Sequence, residues 1–478
     1  MAPGVLVERL TADVAEMSSG LAVPRPPLLV TLDMPQLLPF AGLRPDPAVT
    51  GPLDDVVCPP YDVISEHERL ALLERSPFNL VRVELPEGRY GDAARLLQQW
   101  VATGALRREA APALYGYRMT YKAPDGKQRC TLGVLGALVL EPPGQGILPH
   151  EHTTPKAKSD RLELLRATRA NISPIWCLCP EPGLAAALDP SHLGAGPALA
   201  ASRPADVLPA PLASPTARAM AATPASARDD DGVLHEIWPI FDPATHRRVN
   251  QLAQAGPLLV ADGHHRYEVA LAYQAEARSS HGPTSQQRPA SQQGPASHQG
   301  PPAGADQVLA LVVELVEGQL QVLPIHRLVS GLPAGFDTLA ALSRHFELRP
   351  ATTPGTRLPA EMARQGALGI LAPGGAWLAF PRLLPEPAAP GGLRADLDSA
   401  RADRARSDWP PHQVSYEPSL EAITEAISSG RSQLALLCRP ATVSQIAATA
   451  QGGGRMPPKT TYFWPKPRTG MVLRDFSA

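Results

Sequence analysis

The stretch Pro257-Leu-Leu-Val-Ala-Asp-Gly-His-His-Arg-Tyr-Glu-Val-Ala-Leu-Ala-Tyr273 joins two kinds of secondary-structure pattern. Residues 257–261 form an apolar run with the length of a buried strand, and apolar residues after Arg266 recur at helical spacing. The polar segment Asp262–Arg266, called here the Asp262 turn, falls at the junction. This order predicts an α/β (α+β) fold with the Asp262 turn as its best-marked functional site.

The residue types in the Asp262 turn suit an anionic ligand. A helix N-terminus offers free N–H groups and a partial positive charge, and Gly263 lets the backbone approach a ligand closely. His264 and His265 add donors, and Arg266 can grip a phosphate through two hydrogen bonds. The alternative is a helix cap by Asp262 with the other side chains in solvent. Since consecutive histidines exceed what a cap requires, we predict a phosphate site.

Three residues of this turn are candidates for catalysis, namely Asp262, His264 and His265. Asp262 could hold a histidine tautomer, coordinate a metal or act as a base. Gly263 and Arg266 are predicted to contact the phosphate.

A second polar segment, residues 148–171, is dense in hydrogen-bond donors and in groups suited to proton transfer. Its two histidines and one glutamate could ligate a metal, but they do not specify which one. The alternative is a polar loop followed by a capped helix over 161–168. We favour a binding site, with predicted ligand contacts from His150, Glu151, His152, Thr153, Lys156, Asp160, Arg161, Arg166 and Asn171.

A third segment, residues 456–468, combines lysines and threonines with aromatic residues. Lys459, Thr460 and Thr461 could bind phosphate, and the aromatic rings could stack on a base or close a core. Asp62, Arg82 and His326 are weaker candidates. Isolated polar residues of this kind more often have a structural role, with their hydrogen bonds satisfied inside the protein.

Bulk composition excludes several classes of protein. The 44 Lys and Arg residues nearly balance the 46 Asp and Glu residues, whereas non-specific nucleic-acid binding needs a strongly positive surface. The five cysteines are scattered, which fits a reducing compartment. With no 18-residue apolar run and no signal-peptide pattern, we expect a cytoplasmic protein that does not span a membrane. Nucleic acid is an unlikely partner, and a small phosphorylated metabolite is the expected ligand.

Several local patterns predict individual elements. Residues 56–63 read as a strand that enters a proline-fixed turn, and Ser65 is placed to cap the helix that follows. A helix is predicted over 90–103, and strands over 115–121 and 131–140 should form a hairpin. Trp238 is the predicted core anchor of a strand over 232–241.

Composition divides the chain into five regions. They are a flexible N-terminus 1–35, an N-terminal α/β region 36–180, an Ala/Pro-rich connection 181–231, a core 232–350 with a disordered insertion 279–305, and a C-terminal α/β region 351–478.

A set of short motifs resembles the bacterial and archaeal family known as domain of unknown function 1015. The motifs extend from about Leu38 to Leu473. They are Val57-Cys-Pro-Pro-Tyr-Asp-Val-Ile-Ser65, Asn79-Leu-Val-Arg82, Pro149-His-Glu-His-Thr153, Asp160-Arg161 through Arg166-Ala-Thr-Arg-Ala-Asn171-Ile-Ser-Pro174, Ala261-Asp-Gly-His-His-Arg-Tyr-Glu268, Leu323-Pro-Ile-His-Arg327 and Met456-Pro-Pro-Lys-Thr-Thr-Tyr-Phe463.

The Asp262 turn also resembles the phosphate-binding turn Asp-Gly-His-Thr-Arg of free serine kinases with the ParB/sulfiredoxin-like fold. Asp262, Gly263, His264 and Arg266 match that turn, and His265 departs from it. The resemblance implies a ParB/sulfiredoxin-like phosphate-binding core with additional α/β segments. It also implies serine or phosphoserine as a ligand, with ADP or ATP and magnesium as cofactors.

Two functions from different classes follow. The first is a phosphotransfer enzyme, kinase-like or phosphatase-like, acting on serine, phosphoserine or a similar metabolite. The second is a non-enzymatic, nucleotide-dependent binding or regulatory protein. The density of acid and base residues favours the enzyme. If it has one site, then His150–His152, the Asp262 turn and Lys459–Thr461 should converge on one pocket.

Overall fold

The structure is a computed structural model, and it describes residues 34–123, 126–142, 144–149, 155–188, 224–280, 304–353, 355–382, 396–452 and 454–476. These residues belong to one compact unit. The predicted flexible N-terminus 1–35 and insertion 279–305 lie almost wholly outside the described residues, as does most of the connection 181–231. The ends of the insertion differ from the prediction, because 279–280 continue a helix and 304–306 form a 3-10 turn.

The larger of two main sheets is mixed parallel and antiparallel, with Leu37–Leu38 added beside the strand Gln128–Val139. Alternate residues of its central strands face two separate apolar clusters, so both faces of the sheet are buried. This explains why its strands read as continuous apolar runs. In spatial order the strands are Ile147–Pro149, Leu258–Asp262, Ile175–Cys179, Gln307–Glu314, Gln128–Val139, Leu114–Lys122, Leu234–Ile240 and Ala225–Arg228.

The second sheet is antiparallel throughout and also carries an apolar cluster on each face. Its strands in spatial order are Phe346–Pro350, Gly375–Pro381, Leu368–Ala372, Leu434–Leu437, His326–Ser330 and Gln413–Glu417. Three short antiparallel pairs complete the strands: Leu43–Pro45 with Leu106–Arg108, Ala170–Asn171 with Arg474–Asp475, and Gln321–Leu323 with Tyr462–Trp464.

Helices pack against both sheets. Within the described ranges they are Pro47–Thr50, Leu53–Val56, Glu66–Arg75, Val81–Glu84, Tyr90–Ala102, Pro155–Thr168, Leu184–Leu188, Pro243–Ala253, His264–Ser280, Thr338–Ser343, Leu358–Gln365, Asp398–Ala405, Leu420–Ser428 and Val443–Gln451. Single 3-10 turns occupy Tyr61–Val63, Gly304–Asp306 and Gly355–Arg357.

The mixed α/β class is confirmed, as are most of the local elements. Ser65 caps its helix through a capping box with Glu68. The predicted hairpin and the helix over 90–103 are present, and Trp238 is buried.

Within residues 56–63 the predicted strand is wrong, whereas the turn predicted to follow it is present. Cys58 forms a single bridge with Thr469, and Tyr61–Val63 is a 3-10 turn. Pro59 and Pro60 have no N–H with which to extend a ladder of hydrogen bonds.

Candidate phosphate-binding pocket

The Asp262 turn lies where sequence analysis predicted, between a buried strand and a helix N-terminus. The strand Leu258–Asp262 is buried along its whole length, and the next helix begins at His264. Gly263 makes the turn with φ +85°, in the left-handed region that favours glycine. The Tyr267 N–H then donates to the Gly263 carbonyl at 2.9 Å, which closes the first helical turn.

The turn faces a pocket of about 70 Å³, which is room for about five water molecules or one phosphate group. Two of the three predicted segments meet in this pocket, because Lys459 and Thr461 line it together with the Asp262 turn. The other lining residues are Tyr61, Asp62, Val63, Ala261, Ile325, Tyr462 and Lys466.

Asp262 is held between two cations. Arg266 Nη2 donates to one carboxylate oxygen at 2.8 Å, and Lys466 Nζ donates to the other. Burial acts to raise the pKa of Asp262, but the charges of Lys466 and Arg266 hold it well below its ordinary value. Likewise, burial acts to lower the pKa of Lys466, and the Asp262 charge raises it above the usual range. All three groups are therefore charged at neutral pH.

Arg266 separates the pocket from a second, smaller cavity of about 50 Å³. Its Nη1 donates to the Pro174 carbonyl, and its buried Nε has no hydrogen-bond partner among the described residues. A Cβ on Gly263 would lie 3.1 Å from that Nε and 3.1 Å from Ile175 Cα. The missing side chain at Gly263 thus leaves the space that Arg266 occupies.

The segment 459–461 presents alternate residues to opposite sides. Lys459 and Thr461 line the pocket, whereas Thr460 Oγ1 donates to the Pro457 carbonyl at 2.7 Å and lies 3.0 Å from Ser399 Oγ. Lys459 adopts φ +57°, a left-handed conformation that is unfavourable for a residue with a Cβ. Such strained residues occur often at functional sites.

A closed network of buried hydrogen bonds fixes the loop that carries Lys466. The Arg468 N–H donates to the Tyr117 hydroxyl at 3.0 Å, and that hydroxyl lies 2.8 Å from His235 Nδ1. His235 Nε2 lies 3.0 Å from Asp229, which also accepts from the Arg468 guanidinium. Burial lowers the pKa of His235. Because the Asp229 carboxylate can only accept, the proton of the neutral ring sits on Nε2, and Nδ1 accepts from the Tyr117 hydroxyl. The network anchors Arg468, two residues beyond Lys466.

Four predicted residues with described side chains on the helix Pro155–Thr168 and the strand after it do not line the pocket: Asp160, Arg161, Arg166 and Asn171. Arg161 lines the smaller cavity beside Arg266, donates to the Glu84 carbonyl at 2.7 Å and stacks over Tyr61 at 4.3 Å. Asp160 accepts from the Tyr90 hydroxyl at 2.7 Å. Asn171 also lines the smaller cavity and accepts from the Leu309 N–H at 3.0 Å. Arg166 pairs with Glu163 and Glu276 on the surface.

The remaining predicted residues, His150, Glu151, His152 and Thr153, lie outside the described residues, and so does the side chain of Lys156. Pro149, which precedes them, is paired with Val260 of the strand that leads to Asp262. Among the described residues, no group of three or more histidine, cysteine, aspartate or glutamate side chains could hold a metal ion.

Sequence reasoning missed Lys466 and gave little weight to Asp62, although both line the pocket. Lys466 stands in the same lysine- and aromatic-rich segment as Lys459. Arg82 is structural as expected, since it donates to the Ser76 carbonyl at 3.3 Å.

The sequence model of the family described as "Protein of unknown function (DUF1015)" matches residues 37–207 and 210–400. No curated protein matches the chain. In the described part of the chain, no helix has the length and apolar character needed to cross a membrane.

Similar solved structures include a conserved hypothetical protein from Pyrococcus furiosus, with 11% identity over 67% of this chain and 88% of that one, at a TM-score of 0.31. A free serine kinase in complex with AMP has 11% identity over 68% and 89%, at a TM-score of 0.32. SbnI with a C-terminal truncation, from Staphylococcus aureus, has 12% identity over 70% and 85%, at a TM-score of 0.35. TM-scores this low do not define a shared fold.

Proposed function

The chain belongs to the family described as "Protein of unknown function (DUF1015)", and since that description states no activity, we propose one from the pocket. The pocket around the Asp262 turn binds the phosphoryl group of a small metabolite, phosphoserine or a similar molecule. The protein transfers this group to or from a nucleotide, ADP or ATP.

The convergence of cations carries this proposal. Arg266, Lys459 and Lys466 line one pocket that has only two described carboxylates, Asp62 and Asp262. The N-terminus of the helix His264–Ser280 adds a partial positive charge and backbone N–H groups. A phosphate monoester carries about two negative charges at neutral pH. The three cations and two carboxylates leave a net charge of about +1, which together with the helix N-terminus would offset most of them.

The residues divide into two roles. Asp262 is a poor base because both its oxygens already bind cations, so it orients Arg266 and Lys466 toward the phosphate. In the kinase direction, the serine hydroxyl oxygen attacks the terminal phosphorus of the nucleotide and its proton passes to His265. The bond between that phosphorus and the departing nucleotide oxygen breaks. Lys459 and Lys466 stabilise the charge that develops on the phosphoryl oxygens.

Magnesium fits one feature of the pocket. Mg²⁺ in phosphoryl-transfer sites is held by one or two carboxylates together with water and phosphate oxygens. Asp62 is exposed and lines the pocket, so it is the described carboxylate that would hold the ion. When bound, the ion would neutralise charge on the nucleotide phosphates.

The test is to incubate the purified protein with phosphoserine, with and without ADP and magnesium, and to measure serine, phosphate and ATP. We expect ATP to appear only with ADP present, and Arg266→Ala to lower the rate at least about 100-fold. Arg278→Ala is the matched control. Arg278 lies on the same helix, is exposed and pairs with Asp306 outside the pocket.

Binding of ADP without turnover would instead support the nucleotide-dependent binding protein. Failure to bind either ADP or phosphoserine would contradict both functions.

A further inference from the structure

A third cavity, larger than these two at about 350 Å³, lies beside the antiparallel sheet. Ligand pockets commonly measure about 300 to 1,000 Å³ and are lined mainly by apolar groups with a few polar ones. Met362, Leu397 and Pro440 give this cavity its apolar character, and His326 and Thr460 are among its polar lining residues. We call it the His326 cavity.

His326 presents a hydrogen-bond donor to this cavity. Its side chain is 3% exposed, and its Nδ1 accepts from the Cys438 backbone N–H at 3.1 Å. The ring proton therefore sits on Nε2, for which no described residue serves as an acceptor. Burial and the neighbouring Arg327 charge lower the pKa of His326 to about 4, so the ring is neutral at pH 7. An N–H that opens onto a cavity and has no protein acceptor can donate to an acceptor on a ligand.

The charged groups of the His326 cavity include two carboxylates, Asp396 and Asp398, and one arginine. Arg439, its cationic lining residue within the described part of the chain, binds Asp398 through Nε at 2.8 Å and Nη2 at 2.7 Å. Asp396 accepts from Gln445 Nε2 at 3.3 Å. With one carboxylate more than its cations, this lining disfavours an anionic ligand and suits a neutral one, in contrast to the cationic pocket at Asp262.

The two cavities lie on opposite sides of one wall. The pocket that the Asp262 turn faces is called here the phosphate pocket. Along the segment 324–326, Ile325 faces the phosphate pocket, while Pro324 and His326 face the His326 cavity. Along 459–461 the alternation repeats, with Thr460 facing the His326 cavity. Arg327 ties the two segments together, because its Nη1 donates to the Ile325 carbonyl at 2.7 Å and the Lys459 carbonyl at 3.2 Å.

We propose that the His326 cavity is a binding site for a neutral heteroaromatic molecule, of nucleobase or nucleoside size, that accepts a hydrogen bond from His326 Nε2. The site is separate from the phosphate pocket, since the wall of residues 324–326 and 459–461 stands between them. The proposal goes beyond phosphoryl transfer and holds whether or not that activity is found.

Adenosine is a suitable probe because it is neutral, carries ring-nitrogen acceptors and has no phosphate. Calorimetry with the full-length protein should show adenosine binding that Lys466→Ala leaves unchanged. His326→Asn keeps an acceptor for the Cys438 N–H but loses the donor at Nε2, so it should bind about tenfold more weakly. His326→Gln, whose amide nitrogen can replace Nε2, should recover part of that loss.

Ala363→Trp provides a second variant that does not alter the core. Ala363 is exposed and lines the cavity, so a bulky side chain there should block adenosine while the fold persists. Hydrogen exchange in residues 457–464 should slow when adenosine binds to the unmodified protein.

Absence of adenosine binding at millimolar concentration would overturn the proposal. Binding that survives His326→Asn and Ala363→Trp but is lost in Lys466→Ala would place adenosine in the phosphate pocket and would also overturn it.

Discussion

Two residues in the pocket depend closely on their surroundings, Asp262 through its charge and Lys459 through its backbone conformation. Asp262 is 9% exposed and binds two cations, while Lys459 keeps a left-handed backbone. Such arrangements persist only when the surrounding structure holds them in place. Substitution of either residue should therefore change the free energy of unfolding, which can be measured separately from ligand affinity.

Asp262→Asn should lower the free energy of unfolding at pH 7 by about 3 to 5 kcal/mol, because it leaves Lys466 and Arg266 buried without their counter-charge. The pKa of Asp262 is depressed in the folded state. Its contribution to stability is therefore complete above its unfolded pKa of about 3.9 and is lost as pH falls further. The variant should lack that part of the acid dependence in urea unfolding measured at pH 7 and pH 3.

The control is the double variant Asp262→Asn with Lys466→Met. It should be more stable than the two single changes predict together, since it removes a charge and its partner at once. Additive losses would contradict the ion pair.

Lys459→Gly and Lys459→Ala separate backbone strain from the side-chain amine. Both should weaken phosphoserine binding by a similar factor. The glycine variant should be about 1 kcal/mol more stable than the alanine variant, because only glycine adopts φ +57° without penalty. Calorimetry and urea unfolding measure the two effects. Equal stability of the two variants would rule out the left-handed conformation.

At the scale of elements, the pocket depends on two junctions: the strand-to-helix turn at Gly263 and the loop that carries Lys466. The first requires a close approach of the Arg266 side chain to the turn. The second is fixed to the hairpin strand Leu114–Lys122 through Tyr117. Substitutions at these junctions should therefore act on ligand binding through the positions of Arg266 and Lys466.

Gly263→Ala should weaken phosphoserine binding by displacing Arg266. Gly430→Ala is a matched control, because Gly430 also has a positive φ, of 72°, but a Cβ there meets no atom within 4 Å. Both variants should lose about 1 kcal/mol of stability or more from the unfavourable φ. Only Gly263→Ala should lose binding, and equal affinities in calorimetry would contradict the close approach.

Tyr117→Phe should lower phosphoserine affinity about tenfold or more, because the Arg468 N–H loses its acceptor and Lys466 loses its fixed position. Tyr115→Phe is the control, since the Tyr115 hydroxyl accepts from the Gly42 N–H at 2.8 Å on the same strand, away from Lys466. Both should lose about 1 to 3 kcal/mol of stability. If both lower affinity equally, Tyr117 has only a structural role.

At the scale of the whole molecule, the two sheets meet where the strand Gln321–Leu323 pairs with Tyr462–Trp464. From Leu323 the chain continues into the strand His326–Ser330 of the antiparallel sheet. Arg327 is fully buried at this point. It connects residues 325 and 459, which both line the phosphate pocket. The pocket thus depends on chain segments more than a hundred residues apart.

Arg327→Met should lower stability by at least about 3 kcal/mol, because several buried carbonyls lose their donor. It should also weaken both phosphoserine binding at one face of the wall and adenosine binding at the other. Arg349→Met, an exposed arginine of the same sheet with 59% side-chain exposure, should change stability by no more than about 0.5 kcal/mol. Unchanged binding of both ligands in Arg327→Met would show that the wall is held by other contacts.

Local patterns were sufficient for much of the fold. The capping box at Ser65, the hairpin and the strand–turn–helix around Gly263 were predictable because their causes are local: helix caps, alternation and apolar periodicity. The ParB/sulfiredoxin-like core, by contrast, stays a prediction. The error over 56–63 has a local cause too, since two consecutive prolines interrupt strand pairing.

The sequence by itself determined the mixed α/β class, the family and the position of the Asp262 turn between a strand and a helix. Only the tertiary structure placed Lys466 against Asp262 and directed Thr460 away from Lys459 and Thr461. It also put Arg161 in a separate cavity from the pocket. The physical reason is that helix and strand patterns arise from neighbouring residues, whereas the partner of a buried charge is set by long-range packing that brings distant segments together.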